Sequence, residues 1–172
     1  ADHRTGEIGW YSPDPRTIFE LYEFRIPRSL RLALKKEPFE IQLNRAFEEV
    51  MRGCAEREET WISGEIIGSY GELHRLGFAH SVECWKDGML AGGLYGVAIG
   101  GAFFGESMFS RQRDASKVAL VYLVRRLRER GFELLDTQFT TPHLARFGAK
   151  ELPREDYLKR LARALKKQAS FI

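Results

Sequence analysis

Cysteine is scarce in this sequence of 172 residues: the only two, Cys54 and Cys84, lie in different segments and form no CxxC pair. This usage is typical of a reduced, cytoplasmic protein and gives no basis for a disulfide framework. Apolar runs are no longer than a strand before glycine interrupts them, so no segment is predicted to span a bilayer. No basic start followed by an apolar run and a cleavage site is present, so no secretion signal is expected.

Recognisable metal and nucleotide motifs are also missing. The possible ligands His74, His80, Cys84 and His143 share no known metal-ligand spacing, so no metal site is expected. Glycines crowd residues 92–101, but they do not separate a strand from a helix as a dinucleotide-binding fingerprint requires. Turns and close strand packing explain these glycines better.

Positive charge is unevenly distributed although the net charge is only +3. One basic cluster is opposed only by Asp114 and Glu129, and a second closes the chain. Such clusters favour a polyanion such as RNA, and a solvated helix face explains them about equally well. The first cluster comprises Arg111, Arg113, Lys117, Arg125, Arg126, Arg128 and Arg130, and the second comprises Lys159, Arg160, Arg163, Lys166 and Lys167.

Apolar spacing and turn residues predict the order of helices and strands. Residues 10–16 (WYSPDPR) are punctuated by proline and are expected to form an ordered loop. Asn44 and Asp114 are the expected N-terminal caps of the helices that follow them. The predicted elements are helix 27–37, strand 39–43, helices 45–55 and 64–76, strands 78–85, 89–98 and 102–109, helix 115–130, strand 132–138, helix 142–147, strand 150–153 and a helix from 154.

This order predicts an α+β protein in which helices cover a mixed sheet that contains an antiparallel meander. The acetyltransferase-like (GNAT-type) acyl-transfer superfamily uses the same order, although fold alone does not settle chemistry. An aromatic and proline-rich N-terminal segment is expected at residues 1–26, and the acetyltransferase-like domain at residues 27–172.

Two predicted strands carry polar residues where apolar ones are expected. Glu106 lies within an apolar strand, and burying such an acid is costly unless it is paired or used. Asp136 and Gln138 are two apart in the next strand, so they are expected to face the same way and to act together. A buried ion pair explains Glu106 and a strand-end cap explains Asp136 about as well as a functional role. For Trp61 the alternatives are core packing and stacking on a base.

The turn before the long helix argues against acyl-CoA chemistry. CoA-dependent members of the superfamily use a glycine-rich turn there, whose amides bind the pyrophosphate. Residues 110–115 read SRQRDA, without any glycine.

Several strings, in this order and spacing over nearly the whole chain, resemble the bacterial leucyl/phenylalanyl-tRNA–protein transferases. FGESMFS followed by ASK is the most specific of them. The matching strings are Ser12-Pro13-Asp14-Pro15-Arg16, Arg28-Ser29-Leu30, Thr60-Trp61-Ile62, His80-Ser81-Val82-Glu83, Gly92-Gly93-Leu94-Tyr95-Gly96, residues 104–110, Ala115-Ser116-Lys117, Asp136, Gln138 and His143-Leu144.

The resemblance implies a cofactor-free transfer of leucine or phenylalanine, and methionine less well, from aminoacyl-tRNA. The acceptor would be the α-amine of a protein that begins with Arg or Lys, which marks that protein for degradation by the N-degron route. An aminoacyl ester is already activated, so neither ATP nor CoA would be needed. The partners would be leucyl-, phenylalanyl- and methionyl-tRNA and the acceptor protein, with no metal and no membrane.

The resemblance also implies roles for individual residues. Asp136 would orient Gln138, which would contact the attacking amine, and Glu106 would hold the positively charged N-terminal residue of the acceptor. Trp61 would stack on the terminal adenine of the tRNA. The donor side chain would enter a pocket of Leu94, Met108, Leu120, Leu123 and Leu135, and tRNA phosphates would contact Arg111, Arg113, Lys117, Arg125 and Arg126.

The chain departs from the family pattern at its start and near the expected catalytic pair. The family's longer N-terminal portion supplies a second tryptophan against the adenine; here either adenosine binding is looser, or Trp10 or Tyr11 substitutes. The family's Asp-Cys-Gln is Asp136-Thr137-Gln138, and Thr137 is expected to point to the opposite sheet face. Two other functions stay open: a module that only binds aminoacyl-tRNA or an N-degron, and, more weakly, an acyl-CoA N-acetyltransferase.

Overall fold

The computed structural model describes residues 9, 11–57 and 59–172, and seven strands of this part of the chain form one sheet. In chain order the strands are β1 (Arg16–Phe19), β2 (Glu40–Leu43), β3 (Ala79–Lys86), β4 (Met89–Ile99), β5 (Ala102–Ser110), β6 (Leu134–Gln138) and β7 (Lys150–Leu152). Across the sheet they run β2-β3-β4-β5-β6-β1-β7. Every neighbouring pair is antiparallel except β5 and β6, which are parallel.

Helices cover both faces of this sheet. They are α1 (Arg28–Leu34), α2 (Phe47–Ala55), α3 (Gly64–Arg75), α4 (Ala115–Glu129), α5 (Pro142–Ala145) and α6 (Arg154–Ala164), with a 3₁₀ turn at Leu21–Glu23. Successive residues of a strand face opposite ways, so Leu94 packs with α4 and Tyr95 packs with α2 and α3. Helix α6 packs on the face opposite α4, against β6 and β1. The predicted α+β class, with its helix-covered mixed sheet and antiparallel meander, is confirmed.

The turn between β3 and β4 shows why the meander was readable from the sequence. Asp87 and Gly88 have φ angles of 51° and 76°. Positive φ at both central residues is what a two-residue type I′ hairpin needs, and Asp-Gly adopts it readily. The long alternating strands and the turn residues between them therefore predict the same hairpin.

Neither Asn44 nor Asp114 caps its helix with its side chain, although Asp114 does stand at the N-cap position of α4. The side chain of Asn44 accepts a hydrogen bond from the backbone N–H of Ser81, 3.0 Å away, instead of capping α2. The amide of Ala46, which precedes α2, donates to buried Glu83 at 2.8 Å. Asp114 has a φ of 67° and its side chain caps nothing in α4; it pairs with Lys117 at 2.5 Å.

Strand β1 was not predicted, since only four residues, RTIF, carry it. It lies between β6 and β7, so part of the N-terminal segment 1–26 is built into the sheet. Its partners are more than a hundred residues away: Ile18 faces Asp136 in β6 and Lys150 in β7. Local alternation over four residues is too short to indicate such pairing.

The parallel pair β5 and β6 separates partway along its length. Pairing runs only from Ala102–Leu134 to Phe104–Asp136. Beyond that point β6 continues along β1, with Thr17 opposite Gln138, while β5 continues along β4. The two strands therefore leave an opening between them. Among the described residues, no helix is long and apolar enough to cross a membrane.

Candidate active site

A cavity of about 470 Å³ opens where β5 and β6 separate. Strands β4, β5 and β6, helices α4 and α5, and the loop between α2 and α3 all contribute to its wall. Its lining residues are Arg57, Trp61, Leu94, Tyr95, Gly105, Glu106, Ser107, Met108, Leu120, Leu123, Leu135, Thr137, Gln138, Phe139, Thr141, His143 and Leu144.

One part of the cavity is apolar, and the structure brings together there all five side chains predicted to form a donor pocket. Leu120 and Leu123 are one helical turn apart in α4 and face the sheet. Leu94 and Leu135 lie on the same sheet face in β4 and β6 and are almost fully buried. Met108 from β5 completes the set. These elements are held by the main core, so the apolar wall is preformed.

Glu106 and Gln138 form the polar part of the cavity. The Gln138 side-chain N–H donates to the Glu106 carboxylate at 3.0 Å, and Tyr70 of α3 also donates to this carboxylate. Burial raises the pKa of Glu106 above its ordinary value, while the hydrogen bonds from Gln138 and Tyr70 oppose that rise. Within the described part of the chain, no ion pair reaches Glu106. The interpretation of Glu106 as a buried ion pair is therefore not what the structure shows.

Asp136 lies behind the cavity wall and is fully buried. Its carboxylate accepts hydrogen bonds from the Arg16 guanidinium at 2.7 and 3.0 Å and from the Tyr157 hydroxyl at 2.6 Å. It also accepts the backbone N–H of Gln138 at 2.7 Å. Burial alone would lower the pKa of Arg16, but the hydrogen bond and negative charge of Asp136 raise it. Asp136 thus fixes the backbone of Gln138 without facing the cavity.

Thr137 is expected on the sheet face opposite Asp136, and that face also borders the cavity. Thr137 lines the cavity together with Gln138, and its hydroxyl donates to the carbonyl of Thr17 at 3.4 Å. Gln138 has a φ of 64°, which ends the strand alternation. Two consecutive side chains can therefore reach the same space.

The loop between α2 and α3 forms one rim of the cavity. Trp61 lies there and is 38% exposed. On the same loop, Arg57 Nη2 donates to the hydroxyl of Ser107 at 3.1 Å and to the carbonyl of Met108 at 2.6 Å. Tyr11 is 80% exposed and does not line the cavity, and Trp10 lies outside the described residues.

The first basic cluster is not one surface. Arg111 pairs with Glu56 at 2.7 Å and with Glu49 at 3.6 Å. The guanidinium of Arg126 donates to the carbonyl of Phe171 at 2.9 Å. These two arginines are therefore engaged within the protein.

The remaining members of this cluster are arranged differently. Arg125 lies over the ring of Tyr122, with 5.2 Å between guanidinium carbon and ring centre. Arg113 and Lys117 line a second cavity of about 820 Å³, together with Lys36 and Arg146. The cationic side chains of that second cavity come from separate elements, which sequence proximity alone could not reveal.

Sequence reasoning missed three partners of the two carboxylates: Arg16, Tyr157 and Tyr70. Arg16 ends the SPDPR string, so its place in a family motif was a usable signal. Tyr157 comes from α6 and Tyr70 from α3, and neither had a local signal that pointed to an acid on a distant strand. Among the described residues, no group of three His, Cys, Asp or Glu could hold a metal ion.

The first amides of α4 already have partners. The amide of Ser116 donates to the hydroxyl of Ser110 at 2.9 Å, and the amide of Ala115 donates to the carbonyl of Gln112 at 3.2 Å. A pyrophosphate would need such amides free. This geometry agrees with the missing glycines of the preceding turn.

Comparison with a solved structure adds little. "The structure of L-PGS from Bacillus licheniformis" superposes with a TM-score of 0.49 at 16% identity, over 77% of this chain and 50% of that chain. A likeness of this extent supports no conclusion about function.

Comparison with known sequences is far more specific. The family model "Leucyl/phenylalanyl-tRNA protein transferase" matches residues 18–162. A protein of that name from Herpetosiphon aurantiacus is 57% identical over 96% of this chain and 87% of its own length. Another, from Akkermansia muciniphila, is 56% identical over 98% of this chain and 89% of its own length. On this evidence the chain belongs to the leucyl/phenylalanyl-tRNA protein transferase family.

Proposed function

We propose that this protein transfers leucine or phenylalanine, and methionine less well, from aminoacyl-tRNA to the α-amine of proteins that begin with Arg or Lys. The observation that supports this most is the cavity between β5 and β6, which joins an apolar wall to the Glu106–Gln138 pair. The cavity thus has two compartments: the apolar one fits an apolar donor side chain, and the polar one, at Glu106 and Gln138, fits a cationic acceptor. The proposed setting is cytoplasmic N-degron degradation.

The donor aminoacyl group occupies the apolar end. Its side chain lies among Leu94, Met108 and the three leucines of α4 and β6, where burial of apolar surface contributes about 25 cal/mol per Å². Side chains unbranched at Cβ enter more easily than Val or Ile, whose branching widens them next to the backbone. Trp61 on the rim stacks on the terminal adenine, an interaction of about 1–3 kcal/mol per base.

The acceptor occupies the polar end. Glu106 is half-buried, faces the cavity and supplies a negative charge for the N-terminal Arg or Lys side chain. A charged hydrogen bond in such a place contributes about 1.5–3 kcal/mol. The preference for a cationic first residue follows from this carboxylate.

Gln138 acts on the reacting amine. Its side-chain N–H is held by Glu106, so its carbonyl oxygen is free to turn toward an N–H of the amine. The amine nitrogen bonds to the ester carbonyl carbon, the bond to the ribose oxygen breaks, and the amine's proton ends on that oxygen. Asp136 is a positioning residue, because it holds the backbone of Gln138. Alignment supplies much of the rate, since aminoacyl esters are intrinsically reactive.

The phosphates of the tRNA contact the exposed cationic side chains. Arg113 and Lys117 are candidates because they line the second cavity with Lys36 and Arg146, although Asp114 lines it too and pairs with Lys117 at 2.5 Å. Arg125 is exposed on α4 and stays a candidate. Arg111 and Arg126 are weaker ones because internal acceptors already hold them.

The test is transfer of labelled leucine, phenylalanine, methionine and valine from their tRNAs to peptides that begin with Arg, Lys or Ala. We expect leucine and phenylalanine to be transferred best, to Arg and Lys peptides only, without ATP or CoA. Tight tRNA binding with no product after long incubation would instead identify a binding module. Acetylation of the same peptides from acetyl-CoA would identify an N-acetyltransferase, and either result would overturn the proposal.

A further inference from the structure

The cavity between β5 and β6 carries one charge of each sign. Among the described residues that line it, Glu106 is the acid and Arg57 is the only arginine or lysine. His143 also lines it, but burial lowers the pKa of its imidazole, which favours the neutral form at neutral pH. Glu106 has a proposed ligand in the acceptor, whereas Arg57 has none so far.

Arg57 is placed between the two substrate compartments. It lies on the same loop as Trp61, four residues before it. Its Nη2 donates to Ser107, the residue after Glu106, and to the carbonyl of Met108, whose side chain lines the apolar wall. One guanidinium therefore connects the rim loop to the part of β5 that faces both compartments.

We propose that Arg57 binds the phosphate on the 5′ side of the terminal adenosine of the aminoacyl-tRNA and so positions its 3′ end. This inference rests on the proposed function, because it uses Trp61 as the platform for the adenine. The phosphate is attached to the same nucleoside, so a base stacked on Trp61 brings it to this rim. A guanidinium has five N–H donors in a planar fork, so bonds from Nη2 to β5 are compatible with contact to a phosphate.

A purely structural role explains Arg57 less well. Both acceptors on β5 are near the rim, and Arg57 itself is exposed, so water could satisfy these groups. An exposed long side chain also loses rotamer freedom when it is held, which offsets much of the gain. A cation held at a cavity mouth is better explained by an anionic ligand.

The arrangement would also orient the two substrates. The donor carries its negative charge on the phosphate, and the acceptor carries its positive charge on the first side chain. Arg57 attracts the former and Glu106 the latter, while the reverse arrangement places like charges together. The two charges therefore favour one direction of entry for each substrate.

The experiment compares two stable analogues of phenylalanyl-adenosine, in which an amide replaces the ester at the 3′ position. One carries a 5′-methyl phosphate and the other a free 5′-hydroxyl. Dissociation constants are measured by calorimetry for the wild type, Arg57→Gln and Arg57→Lys. The matched control is Arg52→Gln, which removes an exposed arginine that pairs with Glu48 on α2 and does not line the cavity.

We expect the phosphate to tighten binding at least tenfold in the wild type and in Arg52→Gln, but less than twofold in Arg57→Gln. Arg57→Lys should keep part of the gain, because it retains the charge without the planar fork. The phosphate-free analogue should bind Arg57→Gln within about threefold of the wild type. Raising the salt concentration should weaken binding of the phosphate analogue more in the wild type than in Arg57→Gln, because salt screens the contact between guanidinium and phosphate.

Other outcomes would separate the claims. If the phosphate still tightens binding tenfold in Arg57→Gln, or if both analogues weaken equally, Arg57 is only a structural anchor and the inference is wrong. If the phosphate-free analogue binds the wild type but phosphate adds nothing, the inference fails and the proposed function stands. If neither analogue binds the wild type, both fail.

Discussion

Asp136 and Glu106 are carboxylates on neighbouring parallel strands, yet their surroundings differ in kind. Asp136 is fully buried and accepts hydrogen bonds from Arg16, Tyr157 and the backbone of Gln138. Glu106 is half-buried in the cavity wall, and its hydrogen bonds come from neutral groups. One acid is satisfied by a cation of the protein, and the other is not.

This difference in surroundings supports different roles for the two carboxylates. A buried carboxylate that already has a guanidinium partner gains little from a further ligand, and it serves to fix what it touches. A carboxylate with a raised pKa in a cavity gains a partner when a cationic ligand arrives. This contrast supports the proposal that Asp136 positions Gln138 and that Glu106 recognises the acceptor.

Removing Asp136 should have the largest effect. Asp136→Ala leaves Arg16 without its partner in a half-buried place and frees the backbone of Gln138. We expect the free energy of unfolding to fall by about 3–5 kcal/mol and transfer to be lost. Guanidinium titration measures the first effect. In the double variant with Arg16→Ala the two losses should be less than additive, and full additivity would show that the pair is not coupled.

Shortening Gln138 should reduce kcat without comparable loss of stability. Gln138→Asn tolerates the left-handed backbone but cannot reach both Glu106 and the amine. We expect kcat to fall about 100-fold, the low end of what positioned proton-transfer groups contribute. Thr137→Cys is the control, and its kcat should stay within about twofold of the wild type. Unchanged kcat in Gln138→Asn would reject the proposed role.

The pH dependence of acceptor binding should report the protonation of the Glu106 carboxylate. Because its pKa is raised, KM for an Arg-starting peptide should rise, on acidification, at a pH above the ordinary glutamate value of 4.5. The same pKa shift has the opposite effect on folding stability. The contribution of Glu106 to the free energy of unfolding is fully present below pH 4.5 and is lost as the pH rises through the raised pKa. Glu106→Gln should remove both dependences. A KM profile that Glu106→Gln leaves unchanged would assign the titration to another group.

Narrowing the apolar end of the cavity should have the smallest of these effects, which is a change in the preference between donors. Met108 is only partly buried, so Met108→Phe fills the cavity with little strain on the core. We expect kcat/KM for phenylalanyl-tRNA to fall about tenfold relative to leucyl-tRNA, since small changes in pocket volume contribute about 1–3 kcal/mol. Equal loss for both donors would place the side chain elsewhere. KM for the acceptor peptide should not change.

Local sequence patterns predicted much of the fold but few of the hydrogen bonds and ion pairs around the site. The meander could be read because β3, β4 and β5 are long and alternate, with Asp87-Gly88 between the first two. Strand β1 and the cap of α2 depend on partners far along the chain, so no local pattern signals them. Asn44 bonds to Ser81 and the amide of Ala46 bonds to Glu83, so both partners lie on β3, far along the chain from the start of α2.

For the site, the resemblance to the family indicated which residues to consider, and the five residues predicted for the donor pocket line one cavity. The sequence could not tell which acid has an internal cation, because Arg16 and Asp136 are 120 positions apart. It also placed Arg111 with Arg113 in one cluster, although Arg111 pairs with α2 and its neighbouring loop. Sequence proximity on a turn does not fix where long side chains go.

Recognition of the acceptor's first residue by Glu106 is measured as kcat/KM for leucine transfer to two peptides, one beginning with Arg and one with Ala, by the wild type and Glu106→Gln. We predict that the wild type favours the Arg peptide at least tenfold and that Glu106→Gln loses this preference while its slow transfer to the Ala peptide persists. Equal losses for both peptides, or an unchanged preference for Arg, would contradict the assignment of Glu106 to the acceptor's charge.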